Sequence, residues 1–249
     1  MTICEEIVMV LTAQQLADLM PDATQLESNE PEIESSLHYA QLALLVACLE
    51  WLWRDRTDFF IGADLSIYFS RQQLKNRDFR GPDFFLVKKT EKRPRKSWVV
   101  WEEDGRYPDL IIELLSSSTA DVDRTLKKEL YQDRFRTHEY FLFSPENLEF
   151  VGYRLVSQRY EAIAPTESGL LWSETLDLYL GCHNGQLRYF TPDGALAPTP
   201  EEDALQAQQQ ALQAQQQALV AQQRAEEAQQ RAERLAERLR SLGIEPDGE

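Results

Sequence analysis

The stretch YPDLIIELLSSST, residues 107–119, decides the fold. Leu110, Ile111, Ile112, Leu114 and Leu115 form a run that is apolar on both faces, which predicts a strand in the middle of a covered sheet. Glu113 sits inside that run. An unpaired buried charge is costly, so this carboxylate needs a cation, a metal, a dense set of donors or a proton. A position at the strand's mouth, paired with an arginine, would satisfy it without any chemistry.

Upstream, GPDFFLV (81–87) reads as a short apolar strand after a Gly-Pro turn, and FFIGADLSIYF (59–69) alternates like a strand. KSWVVWEEDGRYPDLIIELL places Asp104-Gly105 between two strand-like runs, which predicts a hairpin-rich sheet. Further back, residues 35–53 predict a capped amphipathic helix starting near Ser35 or Ser36, with Leu37, Ala40, Leu44 and Cys48 on its inner face. Downstream, DVDRTLKKELYQDRF (121–135) predicts a helix with Leu126, Leu130 and Phe135 toward the core. EYFLFS, LEFVGYRLV and RYEAIAP then read as further strands.

From about residue 201 the composition changes. ALQAQQQ, ALQAQQQ, ALVAQQR, AEEAQQR, AERLAER is a seven-residue repeat. Alanine or leucine recurs at 204, 211, 218, 225, 232 and 239, and again three residues on from 207 to 242. Two parts follow, a core domain over 1–200 and a heptad-repeat, coiled-coil-like helix over 201–249. An alanine seam permits close helix packing but buries little area, so self-association through it should be weak; an exposed helix without a partner is the alternative reading.

The chain has 249 residues and a net charge of −16, which argues against coating nucleic acid by electrostatics alone. One basic island interrupts the acidity: residues 71–96 hold ten bases against three acids, as either a solvated loop or a phosphate-facing surface. Cys4, Cys48 and Cys182 are odd in number and share no metal-ligand spacing, which points to a reducing cytoplasm and away from zinc. The first twenty residues lack a basic leader, and the best apolar run, LALLVACLEWLW, is interrupted by Glu50. No signal peptide or membrane span is expected.

Two acids stand out by context: Asp83, heading PDFFLV inside the basic island, and Glu113. A third feature follows closely, because Asp123, Lys127 and Tyr131 recur at i, i+4 and i+8 on one helical face. Taken alone, Asp123 and Lys127 would be a surface pair worth about 0.3–0.5 kcal/mol. Together, Asp83, Glu113 and Lys127 have the composition of a metal-dependent phosphodiesterase site, with hard oxygen ligands for Mg²⁺ and an ammonium to offset developing phosphate charge.

RGPDFFLV, YPDLIIELLSSST, DRTLKKELYQ and EYFLFSP, in that order, resemble the Uma-two family of restriction-endonuclease-like proteins in the PD-(D/E)xK nuclease superfamily. The resemblance covers roughly residues 27–190, including an E-x-x-x-H at Glu34 and His38. It implies a restriction-endonuclease-like α/β core with a mixed sheet and flanking helices, and Mg²⁺-dependent (or Mn²⁺-dependent) cleavage of DNA. Asp83 and Glu113 resemble the metal-binding acids, and Glu34 an accessory acid. Where the superfamily usually has its lysine, two residues after Glu113, this chain has Leu115, so Lys127 becomes the catalytic ammonium and Lys128 a less well-placed substitute. In this reading no protein cation occupies the carboxylate pair itself. Two other classes stay open: a catalytically inactive nuclease-fold module that binds nucleic acid, and a coiled-coil interaction protein. A homo-oligomer through the core and the C-terminal helix fits each of them.

Overall fold

The computed structural model describes Glu27 and residues 35–70, 81–116 and 120–243. The chain divides into two compact units, 1–197 and 198–249. No helix among the described residues is long and apolar enough to cross a membrane. Glu34, Cys4 and the four island bases Arg71, Lys75, Arg77 and Arg80 lie outside the described residues.

The first unit is a mixed α/β layer structure. Strands β1 (Phe59–Ala63), β3 (Phe84–Lys88), β5 (Leu110–Leu114), β6 (Glu139–Phe143), β7 (Phe150–Val156) and β8 (Arg159–Ala162) form one six-stranded sheet in the order β1-β3-β5-β6-β7-β8. Only the β5–β6 pair is parallel within it, and residues 120–135 supply the crossover between the two. Two-residue strands β2 (Ile67–Tyr68) and β4 (Trp98–Val99) pair in parallel, while β9 (Leu171–Ser173), β10 (Leu178–His183) and β11 (Gln186–Phe190) make a three-stranded sheet.

Side-chain alternation splits the core in two. Phe84, Leu86, Leu110, Ile112, Leu114, Phe141 and Phe143 point to one face, where helix α1 (Ser36–Leu52) and the β9–β11 sheet cover them. Phe85, Val87, Ile111, Leu115, Tyr140 and Leu142 point to the other, under Tyr131, Phe135 and Trp98. Glu113 shares this second face with Ile111 and Leu115 and is completely buried.

Helix α1 is capped by Ser35, whose hydroxyl accepts the His38 N–H, but its inner face differs from the expected one. His38, Gln41, Leu42, Leu45, Cys48 and Leu49 are buried, whereas Leu37 is 58% exposed. Polar anchors turn the helix by about one residue. Gln41 clamps both the N–H and the C=O of Leu187 on β11, at 2.9 and 3.0 Å, and His38 reaches Asp83. The expected strand over 59–69 is two strands, broken where Asp64 takes a left-handed φ of 49°. Nor do the runs around Asp104-Gly105 form a hairpin. The turn is there, with φ of 55° and 74°, yet β4 leaves it to pair with β2 and β5 pairs with β3 and β6.

The second unit contains helix α3, Pro200–Ser241, 42 residues long and about 63 Å at 1.5 Å per residue. Thr199 and Glu202 form a reciprocal capping box, Pro200 starts the first turn, and Arg238 and Arg240 lie in the last turn, where cations favour the helix dipole. None of its residues is buried.

Candidate active site

The strand-helix arrangement brings Asp83, Glu113 and Lys127 to one point. Asp83 immediately precedes β3, and Phe84 pairs with Ile112, so Asp83 lies beside the carboxyl end of β5. Each carboxylate reaches the other's strand. The Leu114 N–H donates to Asp83 Oδ2 at 2.7 Å, and the Asp83 N–H donates to Glu113 Oε2 at 3.3 Å.

Residues 120–135, helix α2, lay a polar stripe over these acids. Lys127 Nζ is 3.0 Å from Glu113 Oε2 and 3.0 Å from Asp123 Oδ1, while the Tyr131 hydroxyl donates to Glu113 Oε1 at 2.8 Å. In a regular α-helix each four-residue step overshoots a full turn by about 40°, so a column at i, i+4, i+8 and i+12 would spiral away from the sheet. Here Asp123–Lys127 and Tyr131–Phe135 are π-helical, and their wider turns remove much of the drift. The column Asp123, Lys127, Tyr131, Phe135 therefore faces inward along its whole length. Leu126, expected in the core, is instead 67% exposed.

Two residues complete the cluster. His38, at the start of α1, places Nε2 3.1 Å from Asp83 Oδ1, so its imidazole holds the carboxylate from the side opposite Leu114. Tyr140 on β6 donates its hydroxyl to the Asp123 carbonyl at 2.8 Å, which locks the π turn to the sheet. His38 was legible only as the last letter of the E-x-x-x-H motif. Tyr131 was visible on the helical face, but nothing in its spacing said that the face was buried. Leu115 is a buried apolar residue of the second core cluster and has no part in the site. Glu34 lies outside the described residues.

Electrostatically, the cluster carries more acid than base. Asp83, Glu113 and Asp123 surround one ammonium. Burial pushes the Glu113 carboxyl well above the usual range, and the Asp83 and Asp123 charges add to that against the opposing pull of Lys127 and Tyr131. Burial would also raise Asp83, but the His38 hydrogen bond, the Lys127 charge and the Leu114 N–H hold it below its ordinary value. Burial works against the Lys127 ammonium, yet Glu113, Asp123 and Asp83 outweigh it, and the lysine stays charged. Burial and the neighbouring Glu113 keep Tyr131 protonated, as its donated hydrogen bond requires. The expectation that no protein cation would occupy the carboxylate pair is therefore corrected: Lys127 already touches Glu113.

Asp83 and Glu113 are the residues that could hold a hard divalent cation, and each of their oxygens also has a protein partner. Such an ion takes one or two carboxylates and keeps several waters, and Asp83, with its side chain 23% exposed, opens the pair to solvent. Among the described residues no group of three or more His, Cys, Asp or Glu side chains is placed to hold an ion by itself. A structural tetrahedral cage of the zinc type is thus not present among them.

The described core is thus a mixed α/β fold in which a buried acid pair at one strand end meets a lysine delivered from the following helix. The chain belongs to the Uma2 family, described as "Putative restriction endonuclease", whose model matches residues 22–183. Among solved structures it is similar to one from Anabaena variabilis described as a "putative nuclease". Identity is 16% over 64% of this chain and 90% of that one, with a TM-score of 0.39. No curated protein matches the chain.

Proposed function

We propose that the protein is a divalent-metal-dependent nuclease that hydrolyses DNA phosphodiester bonds, with Mg²⁺ (or Mn²⁺) held by Asp83 and Glu113. The observation that carries this reading is the Lys127 ammonium 3.0 Å from Glu113, because it returns a lysine to the acid pair in a chain whose strand position for it holds Leu115. An ion bound by the two acids would supply Lewis-acid polarisation of the scissile phosphate and acidify a water beside it.

The chain's own groups do the rest. Lys127 offsets negative charge that grows on the phosphate oxygens, and Asp123 fixes its ammonium so that no reorganisation is needed. Tyr131 and the Asp83 N–H set the plane of the Glu113 carboxylate, and His38 and the Leu114 N–H set that of Asp83. The surplus of acids over bases in the cluster also favours this reading, since burial and the neighbouring Asp83 and Asp123 charges raise the Glu113 pKa despite Lys127, and a divalent cation would relieve that repulsion.

The test is cleavage of supercoiled plasmid DNA in Mg²⁺, in Mn²⁺ and in EDTA by the wild type and by Asp83→Asn. Asp83 is partly exposed and the amide can keep the Leu114 contact, so the variant should fold. The expected result is metal-dependent nicking that falls by about 10²–10³-fold in the variant. No cleavage by the folded wild type in either metal, or equal cleavage by Asp83→Asn, rejects the reading.

A further inference from the structure

The described part of the basic island is mostly neutralised by acids. Lys92 pairs with Glu50, Arg93 and Arg95 with Glu103 at 2.7 and 2.6 Å, and Lys96 with Glu27 at 3.1 Å. Lys88 and Lys89 are the exceptions, and they line a cavity of about 500 Å³ together with Arg106, Tyr107, Arg136 and His138. None of the four Lys and Arg side chains has a carboxylate partner among the described residues. Lys88 Nζ donates to the Thr175 carbonyl at 2.7 Å, and Arg106 donates to the carbonyls of Lys88 and Lys89.

The two acids that also line the cavity, Asp109 and Glu174, are already engaged. Asp109 accepts the Lys88 backbone N–H at 2.7 Å, and Glu174 is held by His138 at 3.2 Å and by Arg154 at 2.8 Å. In a chain of net charge −16, a concave site with four cations and no free acid runs against the trend of the surface.

The backbone adds an independent observation. Lys89 has φ of 56° and Arg136, the cap that ends helix α2, has φ of 59°. Glycine is the usual residue at such a cap, because a Cβ is disfavoured there. Both positions carry an exposed cation that lines the same cavity, and strained backbone is often kept at ligand sites. Tyr107, packed on Phe135 with ring centroids 4.8 Å apart and planes tilted by 35°, supplies an aromatic wall.

We propose that this cavity binds a phosphate-bearing ligand of nucleotide size, with its phosphates on Lys88, Lys89, Arg106 and Arg136 and its organic part against Tyr107. The volume lies within the range of small-ligand pockets. Lys88 ends β3 and Asp83 precedes it, so the cavity is about 17 Å from the acid pair at roughly 3.3 Å per residue. The inference stands whether or not the acid pair cleaves DNA.

The test is calorimetric titration of the full chain with inorganic pyrophosphate, with ADP and with a short 5′-phosphorylated oligonucleotide. The wild type should bind at least one of them, and whichever binds tighter, ADP or the oligonucleotide, names a free nucleotide or a strand end as the source. The double variant Lys89→Gly/Arg136→Gly removes two charges while giving both positions the residue that accepts a left-handed backbone, so its melting temperature should not fall. Its affinity should drop by on the order of 10²-fold, about tenfold per charge-assisted contact. Lys92→Ala/Arg93→Ala, which removes paired cations outside the cavity, should leave binding unchanged. The proposal is overturned if no probe binds at millimolar concentration, if the glycine variant binds like the wild type, or if the control weakens binding as much.

Discussion

Helix α2 and helix α3 both carry a regular stripe, and the stripes mean opposite things. In α2 the polar column Asp123, Lys127, Tyr131 is buried against the sheet, and the apolar Leu126 faces solvent. In α3 an alanine seam runs through 42 residues, none of which is buried. Spacing identifies which residues share a face; it does not identify what the face meets. That depends on whether a neighbour supplies matching chemistry, and in α2 the neighbour is Glu113.

The contrast is broken most directly at Lys127. Lys127→Met removes the one ammonium that touches both Glu113 and Asp123, leaving buried carboxyls without their counter-ion. Breaking a buried pair from one side costs about 3–5 kcal/mol, so the melting temperature in EDTA should fall steeply, and DNA cleavage should disappear. A loss within the range of an exposed pair would mean that the stripe is a surface feature after all.

Glu113→Gln should behave differently. Lys127 keeps Asp123 as a partner, Tyr131 can still donate to the amide oxygen, and the repulsion between Glu113 and the other two carboxyls ends. Stability in EDTA should therefore hold within about 1 kcal/mol or rise, while metal-dependent cleavage is lost. The wild type supplies the pH signature. Burial raises the Glu113 pKa above its ordinary 4.5, so the metal-free fold binds more protons than the unfolded chain in the window above that value, and its stability falls as pH rises through the raised pKa. Asp83 has the opposite sign, with its contribution lost only as pH falls below the ordinary 3.8. Cation binding and protonation compete for the Glu113 carboxylate, so the gain in melting temperature from Mg²⁺ over EDTA should grow as pH rises above 4.5 and vanish in Glu113→Gln. A pH-independent gain, or one retained by the variant, would remove Glu113 from the metal site.

These expectations also show how far residue patterns reached. Glu113 was conspicuous because a charge inside LIIELL has a cost that only a partner can offset, and that partner exists. Asp83 and Lys127 were found by composition and resemblance. The inward turn of α2 was not legible, since it depends on two π-helical stretches that a 3.6-residue period cannot contain. The same limit hid the parallel pairing of Ile67–Tyr68 with Trp98–Val99, a contact between segments some thirty residues apart that neither one's alternation encodes. His38 was obscured for a further reason. The apolar count favoured Leu37, whereas Gln41 and Asp83, through hydrogen bonds from distant elements, set the rotation of α1.

Leu126 sharpens the comparison with a smaller effect. A leucine that is 67% exposed contributes little by burial, so Leu126→Lys should change stability by no more than about 0.5 kcal/mol and leave cleavage intact. Regular helical packing, with Leu126 in the core, would instead make the same change cost several kcal/mol. A thermal melt of the variant decides between the two orientations of α2.

The smallest single-site effects belong to α3. Gln is nearly as good a helix former as Ala, and no residue of this helix is buried, so Ala211→Gln/Ala218→Gln should leave the helical circular-dichroism signal and the melting temperature unchanged. The same two alanines lie in one position of the seam, and we propose that the seam associates weakly with a second copy of this chain. Close approach of two helices along it requires small residues, and glutamine side chains at 211 and 218 would hold the backbones apart. The variant should therefore sediment with a lower average mass than the wild type at high protein concentration, with the difference shrinking on dilution. If both proteins sediment alike at every concentration, the seam has no partner of its own kind, and the repeat serves only to keep a long, exposed helix formed.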